Sequence, residues 1–203
     1  MNSLINDLIK NGYLKSDEVI EAFSEINRMD FLPSELEAEA YSDVALPIGY
    51  GQTISQPSTV ATMLELLEPR LGHNVMDIGS GSGWTTALLA HIVGHSGHVT
   101  AIERIDALRE WGGKNVGKYD NLKGVAEFQG GDGVLGFSEK APYDRILVSA
   151  SAVEVPKELK KQLKVGGKMV IPVKDSLVYI EKKSAEEFYE EKYPGFAFVP
   201  LVG

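Results

Sequence analysis

Val75-Met76-Asp77-Ile78-Gly79-Ser80-Gly81-Ser82-Gly83-Trp84 runs from an apolar strand through an acid into three alternating glycines, and a helical pattern follows. Glycine lets the backbone take positive φ and removes the Cβ that would keep a ligand away, while a helix N-terminus offers unpaired N–H groups to an anion. A dinucleotide fingerprint wants its third glycine at position 84, where this chain has Trp84. The spacing Gly79, Gly81, Gly83 suits a smaller zwitterionic group. Outward from this turn, short apolar runs alternate with longer amphipathic ones, the pattern of a parallel sheet with crossover helices. The runs predict strands at 74–78, 98–102, 125–129, 143–149, 167–173, 176–181 and 196–200. Helices are expected at 83–94, 105–118 and 156–163, with another opened by Pro57 and running to about Leu67. The last two strands follow without an intervening helix, so at least one should run antiparallel at a sheet edge. The expected class is α/β, a doubly wound, seven-stranded mixed sheet.

Residues 1–40 carry short amphipathic helical patterns such as Val19, Ala22, Phe23 and Ile26, ended by Phe31-Leu32-Pro33. Residues 41–58 read as a loop rich in Gly, Pro, Ser and Thr, of the kind that often carries function. No linker or repeat divides the 203 residues, so one domain is expected over 1–203. Within it, residues 1–58 form an N-terminal helical extension with its loop, and 59–203 form the core. Apolar residues make up 43% and charged residues 24%, an ordinary globular composition. No apolar run approaches the roughly 18 residues a membrane helix needs, and Met1 to Lys15 lack a secretory pattern. A cytoplasmic location, no membrane partner and a monomer are the expectations. Cysteine is absent, which excludes disulfides, thiolate metal sites and a thiol nucleophile. The net charge of -9 without a basic run argues against nucleic acid as a partner. His91 and His95 have helical metal-pair spacing, but no third ligand accompanies them, so no metal is expected.

Three acids end three successive predicted strands: Asp77, Glu103 in Thr100-Ala101-Ile102-Glu103, and Asp132 in Gly130-Gly131-Asp132-Gly133. In a doubly wound sheet these positions converge on one crevice. S-adenosylmethionine matches them. Its carboxylate suits the helix N-terminus, its ammonium Asp77, its ribose hydroxyls Glu103 and its adenine amino group Asp132. The cofactor-binding set is therefore Asp77, Gly79, Ser80, Gly81, Ser82, Gly83, Glu103 with the adjacent Arg104, Asp132 and Gly133, with S-adenosylhomocysteine as product. Each acid also has a plainer use, as a turn former or a solvated strand end.

Further motifs surround the turn. They are Ala40-Tyr41-Ser42-Asp43, Leu46-Pro47-Ile48-Gly49-Tyr50-Gly51-Gln52-Thr53-Ile54-Ser55-Gln56-Pro57, Gly131-Asp132-Gly133, Pro142-Tyr143-Asp144, Val165-Gly166-Gly167 and Phe198-Val199-Pro200-Leu201. In this order, over about residues 20–203, they resemble the protein-L-isoaspartate O-methyltransferases. The resemblance implies a Rossmann-like methyltransferase fold. It also implies methyl transfer to the free carboxylate of L-isoaspartyl residues in damaged proteins and peptides, after which the ester cyclises to a succinimide that partly reopens to aspartate. The family serine matching Ser55 lies near the reacting groups, so the resemblance assigns Ser55 the catalytic role. Ile54, Ser55, Gln56, Ser149, Ala150 and Ser151 become the substrate-binding set. Alternatively, Ser55 caps the helix entered at Pro57.

A carboxylate titrates at about 4, so at neutral pH it is already a nucleophile and needs no base. Placement is the main catalytic task. The chain departs from the family pattern at Ser149-Ala150-Ser151, usually Thr-Ala-Ala, at Ser58, often aromatic or His, and at Pro172-Val173-Lys174, usually Pro-Val-Gly. These changes lie on the expected peptide side. Two other readings remain open: a same-fold methyltransferase acting on another carboxylate or a small molecule, and a module that binds S-adenosylmethionine without turnover.

Overall fold

The computed structural model describes residues 3–202; residues 1, 2 and 203 of the expected domain lie outside the described residues. Two helices, α1 (Ser3–Lys10) and α2 (Asp17–Glu25), lead into two short 3-10 turns. A small hairpin of β1 (Leu46–Gly49) and β2 (Gln52–Ile54) precedes α3 (Pro57–Leu67). Then β3 (Asn74–Ile78), α4 (Trp84–Val93), β4 (His98–Glu103), α5 (Asp106–Val116), β5 (Ala126–Gly130) and β6 (Tyr143–Val148) alternate. The chain continues through α6 (Lys157–Gln162) into β7 (Leu163–Val173), β8 (Ser176–Lys182) and β9 (Phe188–Pro194). The last seven strands form one sheet in the order β5-β4-β3-β6-β7-β8-β9. Pairings from β5 through β7 are parallel, and β8 is antiparallel to both its neighbours.

Strands β3, β4 and β6 are nearly continuous apolar runs because helices and loops cover both sheet faces. Alternation along each strand divides the core. Val75, Val99, Leu147 and Val170 pack with α1 to α5 on one face. On the other, Met76, Ile78, Ile102, Ile146 and Met169 pack with Leu159 of α6. The N-terminal helices join the first face through Leu8, Phe23 and Ile26.

Two expectations change. The seventh strand is β9 at 188–194, not 196–200. Its Glu190-Glu191-Lys192 run hides the strand signal, but an edge strand with one open side tolerates charge there and is protected by it from further pairing. Gly195, at φ 98°, turns the chain out of the sheet, and Phe196, Phe198 and Val199 then line a cavity. Residues 41–58 are not wholly loop either. Buried Leu46, Ile48 and Ile54 anchor the hairpin, and Gly49, Tyr50 and Gly51 turn it with positive φ. His95 lies beyond Gly94, which ends α4, so His91 and His95 are not a helical pair. Among the described residues no cluster of three metal-ligating side chains occurs and no helix is long and apolar enough to cross a membrane.

The glycine turn depends on a close backbone approach. A Cβ at Gly83, where φ is 87°, would stand 2.8 Å from the carbonyl oxygen of Gly112 in α5. Neither element can yield cheaply. Gly83→Ala should therefore cost roughly 3 kcal/mol of stability in denaturant unfolding. Gly124→Ala, at a similar φ of 77° but with open space around it, should cost about 1 kcal/mol. Equal losses would remove the close approach as the reason for Gly83.

Candidate active site

The chain leaves β3 toward β4 on one side, and β6 returns on the other, so a crevice opens beyond the carboxyl ends of β3 and β6. Gly79 and Gly81 line it, and Ser80 and Ser82 line a small gap beside it. The Gly79 and Ser80 amides donate to the Ile102 carbonyl at 2.9 and 3.2 Å, and the Gly83 amide donates to Ser80 at 2.8 Å. Gly79, Gly81 and Gly83 all have positive φ, which is why this turn alternates glycine. Glu103, 6% exposed, accepts from the Gly81 amide through Oε2 and from the Ile105 amide through Oε1, each at 2.9 Å. Each carboxylate oxygen has a second lone-pair site, so acceptor capacity remains for ribose hydroxyls.

Asp77 is fully buried at the end of β3. Its Oδ2 accepts from the Thr85 and Thr86 hydroxyls at 2.8 and 2.6 Å, and its Oδ1 has no partner. Burial pushes its carboxyl up to about 6, with Glu103 adding to the rise, while hydrogen bonds from Thr86 and Thr85 restrain it. Asp132 is half-buried, and its Oδ1 accepts from the Val134 amide at 2.9 Å, so it closes its own turn. The adjacent Gly133 is required sterically, since a Cβ there would run into the Ile78 side chain. Exposed Arg104, with Gly131, Gly133, Ala150 and Ile48, rims the crevice.

A wider cavity of about 660 Å³ adjoins it, lined by Thr53, Ser55, Gln56, Thr59 and Thr62 on one wall and Phe196 to Val199 on the other. Thr53 and Ser149 border both spaces. Ser55 borders the wide cavity and a small gap against Ile54, Ser80, Ser82 and Thr85. Ser55 does not cap α3. Gln56 holds the cap position without a side-chain bond, and Asp43 Oδ1 takes the Ser58 amide at 2.8 Å instead. Ser151 stands apart from Ser149, because its hydroxyl donates to the Lys174 carbonyl at 3.1 Å. Its backbone pairs with Val199 and Leu201 at 2.8 Å, holding the C-terminal segment over the crevice.

Arg28, Thr53 and the Thr85-Thr86 pair have no place in the sequence-derived set. Arg28 is 3% exposed and donates to four carbonyls, those of Ala40, Ser42, Val44 and Ser55, at 2.8 to 3.2 Å. Desolvation lowers its guanidinium to about 10, opposed by Asp43, so it stays charged at neutral pH. Its sequence signal is a lone cation flanked by Ile26 and Phe31, both buried. For the threonines the signal is a polar, β-branched pair at the start of an otherwise apolar helix.

The sequence profile described as "Protein-L-isoaspartate(D-aspartate) O-methyltransferase (PCMT)" matches residues 1–203. The chain belongs to the protein-L-isoaspartate O-methyltransferase family. The protein-L-isoaspartate O-methyltransferase of Methanopyrus kandleri is 46% identical over 206 residues, covering 98% of this chain and 90% of its relative. That of Ignicoccus hospitalis is 45% identical over 205 residues, covering 98% and 95%. In fold, the chain is similar to a Plasmodium falciparum protein described as a putative protein-L-isoaspartate O-methyltransferase in complex with S-adenosyl-L-homocysteine. The TM-score is 0.88 at 24% identity, over 98% of this chain and 97% of that one. The protein-L-isoaspartate O-methyltransferase similarity thus includes the N-terminal helices and hairpin as well as the sheet.

The buried Asp77 carboxyl makes a pH prediction. Unfolded aspartate titrates at about 4. The folded group holds its proton more tightly, so its contribution to stability is fully present below about pH 4 and is lost as pH rises through about 6. Asp77→Asn removes that loss. Between pH 4 and 7 the unfolding free energy of the variant, relative to the native chain, should rise by roughly 2 to 3 kcal/mol. A flat difference would mean that Asp77 ionises freely.

Proposed function

We propose that this chain transfers a methyl group from S-adenosylmethionine to the free carboxylate of L-isoaspartyl residues in damaged proteins and peptides. The observation that carries the reading is the meeting of two spaces at hydroxyl side chains. A narrow crevice over the glycine turn and a cavity wide enough for a peptide backbone adjoin at Thr53 and Ser149, and Ser55 stands beside them between the wide cavity and a small gap against the turn. The residues fit the cofactor. The turn presents backbone without Cβ at 79 and 81, Glu103 keeps acceptor capacity, and Asp77 Oδ1 is a buried acceptor without a partner. Gly79 to Gly83 would face the methionine portion. Glu103 and Arg104 would face the ribose, and Asp132 and Gly133 the adenine end.

S-adenosylmethionine, when bound, supplies an electrophilic methyl on a positively charged sulfur. The chain's own residues supply placement. The wide cavity is lined by neutral groups, so the substrate carboxylate meets hydroxyls rather than a fixed cation. A cation there would stabilise the ground state, where the carboxylate charge is greatest. Ser55 and Ser149 orient the attacking oxygen, and Ile54, Gln56 and Ala150 shape the approach. Near-attack placement at about 3 to 3.5 Å is the larger part of the rate enhancement such a site can offer. Ser151 contributes from behind, by fixing Val199 and Leu201 over the crevice. The working unit is one domain over residues 1–203, with 1–58 completing the substrate side of the 59–203 core. It acts as a cytoplasmic monomer.

Methyl incorporation into a synthetic isoaspartyl peptide, with its aspartyl twin as control, tests this reading. Transfer to the isoaspartyl form alone is expected, and equal transfer to both would defeat it. Ser55→Ala should lower the rate of transfer by tenfold or more, on the order of the cost of a misplaced nucleophile, while cofactor affinity changes little. An unchanged rate would remove Ser55 from the reaction.

A further inference from the structure

A guanidinium buried to 3% exposure, with four hydrogen bonds that all go to backbone carbonyls, is a costly way to close a loop. Its geometry is specific. Nη1 donates to Ala40 and Ser42 at 3.1 and 3.2 Å, and Nη2 donates to Val44 and Ser55 at 2.8 and 3.1 Å. The fork therefore joins the segment before the hairpin to the residue just after it. Its carbon centre lies 5.3 Å from the Trp84 ring centroid, and Trp84 is the first residue of the helix that follows the glycine turn. One cation thus touches the segment carrying Ser55 and the helix start at the end of the glycine turn together.

We propose that Arg28 is a positioning residue for methyl transfer: it fixes the Ser55 backbone against Trp84 and so sets where the Ser55 hydroxyl stands between the wide cavity and the small gap beside the glycine turn. The inference rests on the role given to Ser55 above. Asp43 completes the clamp from the outer side, accepting from the Ser58 backbone amide at 2.8 Å and from the Gln56 side-chain Nε2 at 3.2 Å. Residues 55, 56 and 58 are thereby held from two sides, while the Ser55 hydroxyl is left to the cavity. Lysine cannot replace the arginine. Its compact ammonium has three donors and no planar fork, so it cannot span carbonyls on both segments and also keep its charge over the indole.

A double-mutant cycle separates this role from a general contribution to folding. Arg28→Lys, Ser55→Ala and the double variant are compared for the rate of transfer to an isoaspartyl peptide at saturating substrate, for S-adenosylhomocysteine affinity and for melting temperature. Arg28→Lys alone should lower the rate about tenfold and weaken S-adenosylhomocysteine binding less than threefold. In the Ser55→Ala background it should change the rate by less than twofold, because the group it positions is gone. Losses that multiply would overturn the proposal. An unaltered rate in Ser55→Ala alone would instead overturn the underlying reading of Ser55. Should Arg28→Lys not fold, Trp84→Phe, which shrinks the aromatic face beneath the guanidinium, is carried through the same cycle. Coupling with Ser55→Ala supports the proposal, and additivity overturns it.

Discussion

The fully buried Asp77 carboxylate sits where β3 ends, and through Oδ2 it accepts hydroxyls from both Thr85 and Thr86 in the first turn of α4. It ties the strand to the helix across the glycines between them, and without that tie five residues with little side-chain bulk would have few contacts to define their path. The remaining constraints follow from it. The Gly79 and Ser80 amides reach the Ile102 carbonyl, the Gly81 amide reaches Glu103, and Gly83 comes against the Gly112 backbone. The turn is therefore preorganised by its own sheet. A ligand entering it meets a backbone already paid for in ordering entropy.

On the substrate side the constraint is of another kind. Residues 41–58 contain only a short hairpin, and their position depends on side-chain bonds to backbone: Arg28 reaches in from the N-terminal region, and Asp43 of the segment itself binds the start of α3. This explains why the N-terminal helices belong to the site although none of their residues lies in the glycine turn. They bury Leu8, Phe23 and Ile26 against the sheet and so hold Arg28 at the depth where its fork meets Ser55. The crevice over the glycine turn and the wider cavity meet at the hydroxyls of Thr53 and Ser149, an arrangement suited to a nucleophile that arrives already ionised.

What the sequence discloses follows from how local the determining physics is. The turn at 79–83, the strands β3, β4 and β6 and the helix opened by Pro57 are legible because their signals, alternating glycines, buried apolar runs and an N-terminal proline, are contained within a dozen residues. The strand at 188–194 is not legible, because its charges reflect a place at the sheet edge that only the assembled topology defines. Arg28 shows only as a cation between apolar residues, and its role is not legible for a similar reason: its partners lie 12, 14, 16 and 27 residues away, and all are carbonyls, which every residue carries. Asp77 and Glu103 stand out as acids at strand ends, yet the sequence does not say that one faces threonines and the other backbone amides. Ser149 and Ser151, placed together in the substrate-binding set, separate once β6 ends, since one borders the cavities and the other binds the Lys174 carbonyl.

In the arrangement proposed above, the cofactor lies over the glycine turn, between the ends of β3, β4 and β5, with Ser55 at its reactive side. Amide hydrogen exchange with and without saturating S-adenosylhomocysteine tests it most directly, because the ligand should slow exchange only where it rests. The account predicts added protection confined to residues 79–83, 103–105, 131–134 and 53–56. Protection confined to other segments, or none at a concentration that calorimetry shows to be saturating, would contradict it.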